Sequence, residues 1–233
     1  DRYRRQRQMC IRDRSNTSQS LVINAYYGYT CSEKDKMLTN KKIENDFSAS
    51  FMMNMMQDIS KTLETKIIHT SSHSFEPSGV SLASVIESNE PIFGSSGVAH
   101  LSESHISFHS YFENSLNDMI ILRLELHISS CSRKSVYFAL GDISKNDKFD
   151  NFDAITLDFF HRGLDLESYE DDGNNILDDY LKEKVHTYDI VDDKRTNTFI
   201  NIKLIKHKNK LQSELMSDSL HKLSLIHISS PRD

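Results

Sequence analysis

The segment AHLSESHISFHSYFE (99–113) concentrates side chains that donate, accept or transfer protons. It holds four serines, three histidines and two glutamates. Its second half alternates polar and apolar residues, which is the period of a β-strand. The alternation predicts that Ile106 and Phe108 face the core, while His105 and His109 lie on the opposite face, towards a cleft.

Metal binding and serine hydrolysis are two alternatives for such a segment. His105 and His109 are four positions apart, and on a helix such a pair shares one ion. On a strand the same positions lie roughly 13 Å apart, which one ion does not bridge. A serine hydrolase of the common type would carry a GxSxG motif, and the chain has none. The sequence therefore favours neither alternative and identifies no metal ligands.

Strands and two helices must position this segment. Apolar residues recur at every fourth position from Phe47 to Leu63, which predicts an amphipathic helix over 46–66 whose methionines fill the core. A second helix is predicted over 174–185. The predicted strands cover 21–29, 66–70, 81–86, 119–128, 154–160 and 199–206. This order predicts an α+β fold, an α/β sandwich with a largely antiparallel sheet and helices on one face.

The 233 residues fit one domain, and both ends look foreign to it. Residues 1–14 include six arginines, and residues 223–233 join no preceding pattern. Neither end has the form of a signal peptide, and we interpret both as non-native scars around a domain at 15–222. That domain has 21 basic and 31 acidic residues. This balance argues against nucleic acid or an anionic membrane as a partner.

Cysteine usage predicts a reducing, cytoplasmic setting. The domain contains Cys31 and Cys131, without a CxxC pair or a framework of paired cysteines. Disulfide-rich and cysteine-rich zinc proteins have such frameworks.

Three stretches are informative together: FEPSGVS (75–81), VAHLSESHISFHSYFE (98–113) and RLELHISSCS (123–132). They resemble a known family, the prokaryotic S-adenosylmethionine decarboxylase proenzymes, and in particular their longer, enterobacterial-type subgroup. Two further stretches, FDAITLDFFHRGL (152–164) and NTFINIKLIK (197–206), extend the resemblance.

The resemblance implies a precursor that cuts its own backbone between Glu103 and Ser104. The hydroxyl of Ser104 would attack the preceding carbonyl and convert the amide to an ester. β-Elimination and hydrolysis would then leave chains 1–103 and 104–233, the second with a pyruvoyl group made from Ser104. This covalent cofactor would form a Schiff base with the substrate amine and accept electrons as the carboxylate leaves.

The resemblance also assigns roles to other positions of this sequence. Cys131 would return a proton to the substrate carbon, and a thiol suits that task because its pKa is tunable. His109 and Ser96 would assist self-cleavage. Phe75 would stack on the adenine of S-adenosylmethionine, and Glu113 would bind its ribose hydroxyls. A homo-oligomer of two-chain protomers and Mg²⁺ as an activator are further implications, although no acidic cluster in the sequence identifies a metal site.

The implied reaction is decarboxylation of S-adenosylmethionine to supply the aminopropyl donor for spermidine. Two alternatives remain open at this point. A pyruvoyl decarboxylase of arginine or ornithine would keep Ser104 and Cys131 but would not need an adenine platform at Phe75. A non-catalytic regulatory paralogue would remain uncut.

Overall fold

The structure, a computed structural model, describes eight ranges of the chain: 18–74, 80–88, 105–114, 118–130, 134–146, 151–162, 172–196 and 198–207. These ranges form eight strands and four helices. The strands are β1 (Ser18–Thr30), β2 (Thr65–Ser74), β3 (Val80–Ser88), β4 (His105–Asn114), β5 (Met119–Ser130), β6 (Ala154–Arg162), β7 (Tyr188–Arg195) and β8 (Phe199–Lys206). The helices are α1 (Lys36–Asp46), α2 (Ala49–Thr62), α3 (Phe138–Ser144) and α4 (Asp172–Lys184).

All eight described strands join one sheet in the order β2-β3-β4-β5-β1-β6-β8-β7. Every neighbouring pair in this order is antiparallel. β4 and β5 lie in the interior of the sheet, so both of their edges are hydrogen-bonded. The predicted α+β class with an antiparallel sheet is confirmed.

One face of the sheet is apolar and carries the helices, as predicted. Ile106 and Phe108 of β4 are fully buried there, and the even-numbered residues of β5 from Ile120 to Ile128 lie on the same face. Met52 and Met56 of α2 are also fully buried against this core. Burial of this face is the main source of stability, since removal of apolar area from water is the dominant favourable contribution to folding.

The opposite face of β4 and β5 is polar and half-buried. On β4 it presents His105, Ser107, His109 and Tyr111, and on β5 it presents Arg123, Glu125 and His127. The alternation arises because successive side chains of a strand point to opposite sides of the sheet. The helices described here belong to the other face, where their buried residues join the apolar core.

The helix predicted over 46–66 is wrong at both ends. Two helices meet at this point: α1 ends at Asp46 and α2 begins at Ala49. Phe47 caps the first helix, its N–H donating to the Ile43 carbonyl at 2.9 Å, and Ser48 caps the second. A serine at this position accepts a bond from the first helical turn, which sets a boundary that apolar spacing alone does not reveal.

Three described elements were not predicted: α1, α3 and β7. α1 buries one residue, Ile43, so it lacks the apolar stripe by which a helix is recognised in sequence. β7 is an edge strand rich in exposed charge, which is a pattern that protects sheet edges from association. None of the described helices is long and apolar enough to cross a membrane.

We expect Phe108→Ala to lower the free energy of unfolding by about 3–5 kcal/mol, because it leaves a cavity in the core beneath β4. Phe160→Ala is the matched control, since Phe160 is 45 % exposed on β6 whereas Phe108 is fully buried. Urea denaturation of both variants measures the difference. Equal losses would contradict the assignment of Phe108 to the core.

Candidate active site

The structure describes two of the seven predicted site residues in part. His109 lies in β4 with a half-buried side chain, and the backbone of Glu113 lies near the end of the same strand. The other five predicted residues lie outside the described residues: Phe75, Ser96, Glu103, Ser104 and Cys131.

The chain neighbours of the predicted cleavage serine and proton donor meet at one end of the sheet. β4 begins at His105, the residue after Ser104 in the sequence, and β5 ends at Ser130, the residue before Cys131. In the antiparallel ladder His105 pairs with Ser129. Residues directly opposite in such a ladder have Cβ atoms about 4.5–5.5 Å apart. The register therefore brings together two chain positions that are far apart in sequence.

Glu113 lies at the other end of the same ladder, where it pairs with Ile121. It is eight residues from His105 along a continuous strand, a distance of roughly 26 Å. The β2–β3 hairpin that contains position 75 also reaches β4 away from its start, because Val80 pairs with Ser110. Glu113, and the described residues Ser74 and Val80 that flank position 75, are thus displaced along β4 from His105.

His109 occupies the middle of the polar face. It pairs with Glu125 of β5, and its ring stacks on Tyr111 with centroids 5.9 Å apart and an interplanar angle of 18°. Its Nδ1 atom is buried and has no hydrogen-bond partner among the described residues. A buried polar atom without a partner costs free energy, so this nitrogen favours contact with a further group.

Arg123 extends the same arrangement along β5. Its guanidinium carbon lies 4.4 Å from the centroid of the Tyr111 ring, a cation–π geometry. Its buried Nε atom also has no partner within the described part of the chain. The centre of this face therefore holds two buried polar atoms, one imidazole nitrogen and one guanidinium nitrogen, that have no hydrogen-bond partner among the described residues.

His105 and His127 form an edge-to-face pair near the start of β4. Their ring centroids are 4.8 Å apart and their planes are at 84°. Burial, and secondarily the proximity of His109, lowers the pKa of His127 below its ordinary value. The lowered pKa favours the neutral form of His127.

Ser20 and Ser129 form a buried hydrogen bond that the sequence analysis missed. The Ser20 hydroxyl donates to the Ser129 hydroxyl at 3.0 Å, and each residue is 8 % exposed. The two serines are 109 positions apart in the chain. Each serine lies at a polar end of its strand, where no local pattern distinguishes it, so the pairing follows only from the register of β1 and β5.

Among the described residues no group of three or more His, Cys, Asp or Glu side chains is arranged to hold a metal ion. The described residues therefore identify no Mg²⁺ site, and activation by Mg²⁺ stays a prediction. We assign Mg²⁺ no role in the chemistry below.

Comparison with known proteins found no matching family model. Curated relatives are named S-adenosylmethionine decarboxylase proenzyme. The chain is 26% identical over 209 residues to the one from Clostridium perfringens (strain SM101 / Type A), which covers 79% of this chain and 76% of the relative. It is 27% identical over 198 residues to the one from Hahella chejuensis, covering 76% and 74%. It is 26% identical over 235 residues to the one from Alkaliphilus oremlandii, covering 90% and 86%.

A solved structure of the adenosylmethionine decarboxylase from Aquifex aeolicus also matches, with a TM-score of 0.38 and 13% identity over 66% of this chain and 96% of that one. A likeness at this level carries no argument. The curated relatives agree with the enzyme class that the sequence motifs predict. They do not distinguish the longer subgroup from the shorter one.

We expect acidification to destabilise the folded chain through His127. An unfolded histidine titrates near pH 6.5, and the folded pKa of His127 is lower. Below about pH 6.5 the unfolded chain therefore binds more protons than the folded chain does. The free energy of unfolding consequently decreases as the pH is lowered. Urea denaturation at pH 7 and pH 5 should show a smaller loss for His127→Asn than for the wild type. Equal losses would contradict the burial of this imidazole.

Proposed function

We propose that the chain is a pyruvoyl-dependent S-adenosylmethionine decarboxylase that makes its cofactor from Ser104. One observation carries the proposal: the pairing of His105 with Ser129. Ser104 is bonded to His105, and Cys131 follows Ser129 by two residues, so both reacting groups start from the same end of the β4–β5 ladder. The names of the curated relatives support the same enzyme class.

Self-cleavage needs a serine whose hydroxyl reaches the carbonyl of the preceding residue. The Ser104 oxygen bonds to the Glu103 carbonyl carbon, the C–N bond breaks, and the hydroxyl proton passes to the nitrogen. Ser104 precedes His105, the first residue of an interior strand, so ladder bonds hold the chain from His105 onward. This fixed strand limits the motion of one reactant relative to the other, which is a source of rate enhancement.

The pyruvoyl group, once formed, supplies an electron sink for loss of the substrate carboxylate. The chain then has to return one proton to the substrate carbon. The Cys131 thiol is the proposed donor, because it follows the end of β5 on the strand that pairs with the start of β4.

Substrate binding requires a second copy of the chain. Position 113 lies roughly 26 Å along β4 from position 105. The amine and the ribose of S-adenosylmethionine are joined by too few bonds to span that distance. If Glu113 binds the ribose, it does so at the site whose Ser104 belongs to another protomer. A two-fold homo-oligomer built through the polar face would bring these ends together, since two-fold symmetry pairs one end of a surface with the other.

The polar face supports this assembly, because the described helices pack on the opposite, apolar face. A second protomer on this face would pack against the half-buried side chains of His109, Tyr111 and Arg123. We propose that each active site combines Ser104 and Cys131 of one protomer with Phe75, His109 and Glu113 of the other. Ser96 is proposed to assist cleavage in the same site. The product would be the aminopropyl donor for spermidine synthesis.

The first test is self-cleavage. Intact-mass measurement of the purified wild type should show two chains, 1–103 and 104–233, with the second blocked by a pyruvoyl group. Ser104→Ala should remain one chain, because it lacks the attacking oxygen. Ser107→Ala is the matched control on β4 and should cleave like the wild type. An uncut wild type would favour the regulatory paralogue.

The second test concerns the proton donor. We expect Cys131→Ser to cleave itself but to release CO₂ from S-adenosylmethionine about 10²–10⁴-fold more slowly, the usual effect of removing a general acid. Cys31→Ser, a change at a half-buried cysteine of the same chain, should keep wild-type activity. Activity of Cys131→Ser equal to that of Cys31→Ser would remove the thiol from the mechanism.

The third test concerns the shared site. Ser104→Ala and Glu113→Gln should each be inactive alone. When the two variants are co-expressed, we expect about a quarter of wild-type activity. About half of the dimers then contain one copy of each variant, and each such dimer has one complete site out of two. Mixed dimers without activity would contradict the placement of Glu113 in the partner's site.

A further inference from the structure

We propose that Ser129, oriented by Ser20, donates a hydrogen bond to the oxyanion that forms on the Glu103 carbonyl during self-cleavage. The inference rests on the proposed function and adds to it a group that the motif resemblance does not assign. Its basis is the Ser20–Ser129 hydrogen bond and the position of that bond in the sheet.

Ser129 lies where a donor for the cleavage point is needed. It pairs with His105, the residue bonded to Ser104, and both side chains lie on the polar face. Side chains paired in this way have Cβ atoms about 4.5–5.5 Å apart. The Ser129 hydroxyl therefore lies opposite His105, the first described residue after the bond to be cut.

In the Ser20–Ser129 hydrogen bond, Ser129 accepts through its oxygen and keeps its own proton free to donate. Ser20 is the donor at 3.0 Å, so Ser129 is the acceptor. Among the described residues the Ser129 proton has no acceptor. A hydroxyl that accepts one hydrogen bond and retains its own proton is polarised, because successive hydrogen bonds strengthen one another in a low dielectric.

The surroundings strengthen such a donor. Ser20 and Ser129 are each more than nine-tenths buried, and the His105–His127 ring pair lies beside them on the same face. Bulk water is therefore largely excluded from this hydroxyl. An oriented donor in a water-poor site stabilises developing negative charge far better than it does in solution.

The proposed step is balanced. The Ser104 oxygen bonds to the Glu103 carbonyl carbon, and the electron pair of the C=O bond moves to the carbonyl oxygen. Ser129 donates its hydrogen bond to that oxygen without losing its proton. When the carbonyl re-forms, the C–N bond breaks, an ester remains, and the Ser104 nitrogen takes the proton of the former hydroxyl.

The test is the rate of self-cleavage of the full chain, followed by intact mass from the time of refolding. Removal of one oxyanion donor typically slows a reaction by about 10²–10³-fold, so we expect Ser129→Ala to cleave at least ten-fold more slowly than the wild type. Ser129→Thr keeps the hydroxyl and should recover most of the rate. Ser20→Ala should slow cleavage less than Ser129→Ala. The double variant should be no slower than Ser129→Ala alone, because the two serines act as one unit.

Ser60→Ala separates this role from a structural one. Ser60 is also buried, and its hydroxyl donates to the Thr65 carbonyl at 3.0 Å, far along the chain from the cleavage point. We expect Ser60→Ala and Ser129→Ala to lower the melting temperature by similar amounts, with only Ser129→Ala slowing cleavage. Wild-type cleavage by Ser129→Ala, or equal slowing by both variants, would overturn the role of Ser129. A wild type that never cleaves would overturn the proposed function as well, so the two failures are distinguishable.

Discussion

The antiparallel register of β4 and β5 is the constraint on which the rest of the account depends. It pairs the first residue of one strand, His105, with a residue near the end of the other, Ser129. A shift of one residue would turn every side chain of β4 to the opposite face and would place Ile106 and Phe108 in the polar layer. The buried core therefore fixes the register, and the register fixes which chemical groups share an end of the sheet.

The rigidity of β4 also keeps its two ends far apart. An interior strand bonded on both edges does not fold back on itself, so positions 105 and 113 remain roughly 26 Å apart. A substrate of ordinary size cannot bridge that distance within one protomer. The proposed second copy then follows from this spacing and from a polar face that the described helices do not cover.

The sequence predicted correctly those elements that local periodicity defines. Strict alternation around Ile106 and Phe108 identified β4 and both of its faces, and the apolar spacing of the methionine-rich segment identified most of α2. It failed where a boundary depends on one cap, as at Ser48, and where an element buries little, as in α1. The Ser20–Ser129 bond joins residues 109 positions apart, so no local pattern contains it. The motif resemblance supplied the proposed roles of Ser104 and Cys131, and the ladder showed that their described neighbours His105 and Ser129 are paired.

The most direct test of the central claim is reductive trapping of substrate on the cleaved chain. The wild type would be incubated with S-adenosylmethionine and cyanoborohydride, and the mass of the 104–233 chain would be measured. Arginine and ornithine would be supplied in parallel. We predict that the chain gains the mass of decarboxylated S-adenosylmethionine less one oxygen atom, because Schiff-base formation releases water and reduction adds two hydrogens. It should gain no mass from the other two amino acids. An unmodified chain, or one modified by arginine or ornithine instead, would contradict this prediction.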